Sequence, residues 1–150
     1  MTCGEVVAAR ARDLVGVPFR PQGRSAGEGL DCIGLVAAAL GVDAVRRDYA
    51  LRGGCVEALS AGLRAVGLFE VAERQAGDVL VMRAGPGQLH LGVWTGGGLV
   101  HADAQLRRVV ERPGEMPWAV VGVWRVYAAR SPGPSTIGCA GGPPPRSEED

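Results

Sequence analysis

Residues 29–41 have the sequence GLDCIGLVAAALG, and this stretch carries the strongest indication of the fold. Starting at Cys32, apolar side chains recur at i, i+3, i+4, i+7 and i+8, which is the spacing of one helical face. Asp31 is a good N-cap for such a helix, and Gly41 suits its C-terminal end. The stretch therefore predicts a buried helix over residues 32–40 that begins with a cysteine.

The apolar pattern changes along the chain from helical spacing to alternation. Helical spacing also predicts helices over residues 4–15 and 56–66, and the Gly-rich residues 17–30 predict a loop. Helices first and strands afterwards predict an α+β fold, in which N-terminal helices pack on an antiparallel sheet of about five strands. The predicted strands cover residues 79–82, 89–95, 99–102, 107–111 and 121–127.

Length and composition limit the classes of protein to which the chain can belong. Its 150 residues fit one domain, which we place at residues 1–130. The Pro-, Gly- and Ser-rich residues 131–150 predict a flexible or partner-bound tail. Sixteen basic residues balance sixteen acidic ones, so a direct nucleic-acid partner is not expected. No window approaches the ~20 apolar residues of a membrane span, and no secretory signal begins the chain. We therefore expect synthesis in the cytoplasm and no membrane partner.

The four cysteines lie far apart in the sequence and form no Cys-x-x-Cys pair. This spacing predicts no disulfide framework. Together with the two histidines it fits no zinc pattern, so no metal site is predicted. The chemistry of the chain should then depend on individual cysteines.

Cys32 is the candidate nucleophile, because it lies in the first turn of the predicted helix, just after a Gly-rich loop. Helix N-terminal amides favour an anion, which would lower the pKa of the thiol. The same amides could receive an oxyanion. The alternative is a buried core cysteine, since Cys32 also lies on the apolar stripe.

Both histidines of the chain lie in residues 89–102, LHLGVWTGGGLVHA, where a hairpin turn is predicted. If Gly96 and Gly97 form a two-residue loop, His101 lies opposite Gly92 and shares a face with His90. The two histidines are then diagonal neighbours, with Cα atoms roughly 7–8 Å apart. A three-residue loop without a bulge would put them on opposite faces of the sheet.

A shared face would give the two imidazoles different tasks. His90 would take the thiol proton, and a second polar group would orient the His90 ring. His101 or Asp103 could be that second group, because the same register puts Asp103 directly opposite His90. The alternative is two unrelated surface histidines.

At these residues the sequence resembles the NlpC/P60 family of cell-wall peptidases. The resemblance covers most of residues 4–127 and is carried by GVPFRPQGRSAGEGLDCIGLV (16–36), AGDVLVM (76–82) and HLGVWTGGGLVHA (90–102). The surroundings of Pro18, Gln22 and residues 29–34 resemble in particular the subgroup found in phage tails and gene transfer agents.

The resemblance implies a papain-like fold and hydrolysis of peptidoglycan stem peptides, usually between γ-D-glutamate and a diamino acid. It implies Cys32 as nucleophile, His90 as base and His101 as the orienting residue, with no metal or organic cofactor. Asp31 matches an acidic residue that shapes the substrate site, and Gln22 is expected to line that site. Phe19 stands where many members have a tyrosine, so one hydroxyl contact is missing.

The resemblance also implies a biological setting. A phage-like tail would carry the protein, through a tail hub or baseplate protein, to the periplasmic cell wall during DNA delivery. Two alternatives are a structural tail-tip or wall-binding protein with little activity, and a thiol amidase that acts on another amide.

Overall fold

Among the residues that the structure describes, three helices and eight strands form an α+β fold, as the order of patterns in the sequence predicts. The computed structural model describes residues 2–42 and 55–126. The helices are α1 (Cys3–Asp13), α2 (Cys32–Leu40) and α3 (Val56–Ala65). The strands are β1 (Arg24–Ser25), β2 (Gly29–Leu30), β3 (Leu68–Val71), β4 (Val79–Gly85), β5 (Gln88–Trp94), β6 (Gly98–Asp103), β7 (Arg108–Pro113) and β8 (Ala119–Val126).

The main sheet is antiparallel and has six strands in the order β3-β8-β4-β5-β6-β7. The sequence predicts about five, because β3 is a four-residue strand too short to show clear alternation. The small hairpin of β1 and β2 inside the predicted loop was missed for the same reason. The predicted tail at residues 131–150 and the predicted strand residue 127 lie outside the described residues.

Helix α2 begins and ends where the capping residues predict. The Asp31 side chain accepts a hydrogen bond from the Gly34 N–H at 2.8 Å, and Gly41 adopts the left-handed conformation with φ 75°. All residues of the helix except Ala38 are buried, and the helix contacts α1, β5 and β6. Its first residue, Cys32, is therefore fixed against the centre of the sheet.

The turn between β5 and β6 has the predicted two-residue loop. Val93 pairs with Val100, and the Thr95 N–H donates to the Gly98 carbonyl at 2.8 Å, which leaves Gly96 and Gly97 in the loop. The predicted register is confirmed. It places the two histidines on one face of neighbouring strands.

The segment between α1 and β1 covers the outer edge of β7 and brings residue 19 towards the helix start. The Val109 N–H donates to the Val17 carbonyl at 2.8 Å, and the Phe19 N–H donates to the Arg107 carbonyl at 2.9 Å. These bonds satisfy backbone groups that an edge strand would otherwise expose.

Glycines allow the loop before α2 to lie directly on that helix. A Cβ added at Gly34 would stand 2.1 Å from the Gly23 carbonyl oxygen, so only glycine fits this approach. Within residues 2–42 and 55–126, no helix has the length and apolar character needed to cross a membrane.

Candidate active site

A cleft of about 720 Å³ brings together all six residues that the sequence predicts for the site. Its walls come from the start of α2, the loop before it, strands β5 and β6, and the segment before β8. The predicted residues in its lining are Phe19, Gln22, Asp31, Cys32, His90 and His101.

Cys32 is buried, with 4% of its surface exposed. Burial raises the pKa of its thiol to about 12. Hydrogen bonds from the backbone of Leu91, Ile33 and Cys32 itself lower this pKa, but their effect is smaller than that of burial. The nearby Asp31 carboxylate raises the pKa further. The predicted lowering of this pKa by the helix terminus is therefore wrong. The free energy needed to remove the thiolate from water is larger than the stabilisation that the backbone dipoles give it.

The two imidazoles contact each other directly. His90 Nε2 lies 3.0 Å from His101 Nδ1, within hydrogen-bond distance, and the ring centroids are 5.1 Å apart at an interplanar angle of 89°. The hydrogen bond needs one proton between these nitrogens. It therefore couples the tautomer of His90 to that of His101.

Both imidazoles are neutral at neutral pH. Burial lowers the pKa of His90 to about 4, the neighbouring His101 lowers it further, and the Asp103 carboxylate raises it. Burial also lowers the pKa of His101. The Asp103 carboxylate raises this pKa, and the Arg112 guanidinium lowers it. A neutral His90 is a proton acceptor, as a base requires.

Asp103 does not take the position next to His90 that the sequence left open. Its Oδ1 accepts from the N–H groups of Gln105 and Leu106 at 2.8 and 3.0 Å, so it caps the turn after β6. His101 is the residue in hydrogen-bond contact with His90. Asp103 acts on both imidazoles from a distance, through its charge.

Asp31 ties the loop to the start of α2. Besides capping Gly34, its carboxylate accepts from the Gln22 N–H at 2.9 Å and from Arg24 Nη1 at 2.7 Å. The carboxylate is 15% exposed, and the Arg24 side chain is 10% exposed. Its hydrogen bonds fix the loop that forms one wall of the cleft, and Gln22 adopts a left-handed φ of 58° there.

Among the cleft residues that were not predicted, Arg24 and Trp118 contact predicted site residues. Arg24 appears as one residue of an irregular loop, and no spacing rule connects it to Asp31. Trp118 belongs to no motif that predicts a place in the site, yet its ring lies against both imidazoles, with centroids 5.2 Å from each. No feature of the sequence distinguishes this residue from Trp94 and Trp124.

The arrangement supports general-base activation of a thiol. If His90 Nε2–H donates to His101 Nδ1, the other ring nitrogen of His90 is free to accept a proton. The amides that hydrogen-bond to the thiol at the start of α2 can receive an oxyanion that forms beside it. This combination is suited to acyl transfer through a thioester.

Outside the cleft, the other described cysteines contribute no catalytic group to the site. Cys55 is an exposed free thiol, and Cys3 is disulfide-bonded. The disulfide at Cys3 was not predicted from the sequence. In the part of the chain that the structure describes, no set of three or more His, Cys, Asp or Glu side chains is arranged to hold a metal ion.

Solved structures of NlpC/P60 domains share this fold. NlpC1 from Trichomonas vaginalis matches with a TM-score of 0.60 and 23% identity, over 83% of this chain and 44% of that one. RipB from Mycobacterium tuberculosis, described as a peptidoglycan hydrolase, matches with a TM-score of 0.55 and 27% identity, over 83% of this chain and 64% of RipB. This chain thus spans less than half of NlpC1 and under two thirds of RipB.

One similar structure is described as non-catalytic. RipD from Mycobacterium tuberculosis is named a non-catalytic NlpC/p60 domain protein adapted to peptidoglycan binding; it matches with a TM-score of 0.51 and 22% identity, over 83% of this chain and 97% of RipD. No protein-family model and no curated protein matches the chain. The predicted NlpC/P60 fold is confirmed.

Proposed function

We propose that the protein is a cysteine peptidase that hydrolyses peptidoglycan stem peptides. The observation that carries the proposal is one cleft in which the helix-start thiol of Cys32 faces the same space as the hydrogen-bonded pair of His90 and His101. The NlpC/P60 fold, shared with a protein described as a peptidoglycan hydrolase, supports the choice of substrate.

In the proposed reaction, Cys32 Sγ attacks the scissile carbonyl carbon while its proton passes to His90. His90 then protonates the leaving amine as the carbon–nitrogen bond breaks, and a thioester remains on Cys32. His90 next removes a proton from water, which attacks the thioester and releases the acid and the thiol. His101 keeps His90 in the tautomer that accepts the proton, through the contact at 3.0 Å.

The finer proposal is cleavage between γ-D-glutamate and a diamino acid, by a protein carried in a phage-like tail. The sequence around Pro18, Gln22 and residues 29–34 supports the tail assignment, through its resemblance to that subgroup. If the protein copurified with no tail-like particle and bound no hub or baseplate protein, this setting would be wrong and the peptidase proposal would stand alone.

Muropeptide digestion tests the peptidase proposal. Purified peptidoglycan fragments are incubated with wild type, with Cys32→Ala and with Cys55→Ala, and the products are read by mass spectrometry. Cys55 is the matched control, because it is a free thiol outside the cleft. We expect the same cut stem peptide from wild type and Cys55→Ala, and none from Cys32→Ala. Equal products from all three proteins would remove Cys32 from the mechanism.

A second candidate function is wall binding without turnover. Two observations favour it: Phe19 offers the cleft no hydroxyl, and the Cys32 thiol is buried with a raised pKa. RipD provides a structural neighbour described as non-catalytic. Sedimentation of the protein with insoluble peptidoglycan, in the absence of any released peptide, would favour this function. Release of other amide products would instead favour a thiol amidase.

A further inference from the structure

Trp118 forms a three-ring cluster with the two histidines. The His90–Trp118 and His101–Trp118 centroids are both 5.2 Å apart, and the ring planes meet at 76° and 82°. With the His90–His101 distance of 5.1 Å, the three rings form a nearly equilateral triangle of edge-to-face contacts. A residue that only filled space beside the sheet would not need to contact both imidazoles.

The position of Trp118 is fixed from its other side. The residue immediately precedes β8 and packs, partly buried, against the apolar cluster of Leu80, Met82, Trp94 and Leu99. An aromatic side chain has only two rotatable bonds, so this packing leaves the ring little freedom. The indole can therefore hold the imidazoles in place instead of following them.

We propose that Trp118 is a positioning residue that shields the His90–His101 hydrogen bond from water and fixes the orientation of both rings. Its catalytic consequence rests on the proposed function; its effect on the imidazoles does not. Water that competed for either nitrogen of this bond would release His90 from the tautomer that accepts the thiol proton. Among the described residues, Trp118 is the one other aromatic residue whose ring contacts the two imidazoles.

The charged groups around the pair define what loss of Trp118 should change. Asp103 on β6 favours the protonated imidazoles, whereas Arg112 on β7 disfavours protonated His101. The thiol of Cys32 on α2 lines the same cleft and is neutral at neutral pH. Replacing Trp118 leaves these groups in place and admits water, so protonation of the pair should become easier.

Nuclear magnetic resonance titration of the histidine ring protons tests the shielding directly, because the chain contains only two histidines. The variants are Trp118→Leu, which keeps apolar bulk for folding but cannot cover two rings, and Trp118→Phe, which keeps a flat ring. Trp124→Phe is the control for loss of an indole, since Trp124 is buried in the other apolar cluster, at 1% exposure.

In Trp118→Leu we expect the pKa of His90 to rise from about 4 towards 6.5, by about one pH unit or more, and the pKa of His101 to rise with it, as lost burial predicts. Trp118→Phe should recover most of the wild-type values, and Trp124→Phe should leave them unchanged. Unchanged pKa values in Trp118→Leu would overturn the proposal, and so would a fall in either value. If the same rise occurred in Trp124→Phe, the effect would be general loosening and the proposal would also fail.

Muropeptide cleavage by the same variants tests the catalytic consequence. We expect kcat to fall about tenfold or more in Trp118→Leu, with a smaller change in KM. A misplaced base slows the chemical step more than it weakens substrate binding. The acid limb of the pH–rate profile should move to higher pH along with the histidine pKa values. If wild type cleaved nothing while the pKa values still rose, the peptidase proposal would fail and the shielding would stand.

Discussion

Acidification should destabilise the folded protein through His90. Burial lowers the pKa of this imidazole from 6.5 to about 4 in the folded state. The unfolded chain therefore binds a proton at a higher pH than the folded one. The stabilising effect of a neutral His90 is complete above pH 6.5 and is lost as the pH falls towards 4. Because one pH unit of difference in pKa corresponds to about 1.4 kcal/mol, the full loss is about 3 kcal/mol.

The magnitude is large enough to measure by urea unfolding, since small domains have unfolding free energies of about 5–15 kcal/mol. Carboxylates also titrate between pH 4 and 7, so the useful quantity is the stability of wild type minus that of His90→Gln. Gln does not titrate, and His101 remains in both proteins. Circular dichroism is the appropriate signal, because Trp118 contacts the histidines and its fluorescence would respond to their protonation.

We expect this difference to fall by about 3 kcal/mol between pH 7 and pH 4, with nearly all of the change below pH 6.5. Asp103→Asn should lower the pKa of His90 further, since its carboxylate is the group that raises that pKa. A difference that stayed constant across the range would contradict a lowered pKa of His90 in the folded state. It would mean that the imidazole titrates in the folded protein as it does in the unfolded chain.

Three other substitutions or reactions test the structure. Gly34→Ala should destabilise the protein by about 1–3 kcal/mol in urea unfolding, because its Cβ would overlap a loop carbonyl. The control Gly27→Ala, with open space around it, should have little effect. Equal losses of stability in the two variants would contradict the packing described. Iodoacetamide should alkylate Cys55 faster than Cys32 at pH 7, since Cys32 is buried with a raised pKa, and faster labelling of Cys32 in peptide mapping would contradict this. Asp78→Ala should lower the free energy of unfolding by about 3 kcal/mol, because the Asp78 carboxylate, 1% exposed, accepts two hydrogen bonds from the partly exposed Arg125 guanidinium. A loss below about 1 kcal/mol in urea unfolding would show that this ion pair is not needed.

The local structure that positions the candidate site was predicted correctly. Asp31 and Gly41 define the ends of α2, because capping is decided by residues next to the helix. The shared face of His90 and His101 follows from the parity of the loop between their strands, which consecutive glycines indicate.

The features that depend on tertiary packing were not predicted from the sequence. The two-residue strands β1 and β2 are too short to show a period, and their pairing depends on the loop folding onto α2. Trp118 reaches the histidines only after the chain returns at β8. The direction of the Cys32 pKa shift was wrong, because the sequence shows the helix terminus near the thiol but not the amount of water removed from it.

The balance between these two effects on Cys32 limits how the proposed reaction can proceed. With the thiol pKa near 12 and the His90 pKa near 4, the resting cleft holds a neutral thiol and a neutral imidazole. An ion pair formed before substrate arrives would put two charges into a site that disfavours both. The proton must therefore leave sulfur as the carbon–sulfur bond forms, when the negative charge moves to the carbonyl oxygen and the helix-start amides can accept it. On this view burial of the thiol is compatible with catalysis: it keeps Cys32 unreactive towards small electrophiles, and activation depends on a substrate that places its carbonyl among those amides.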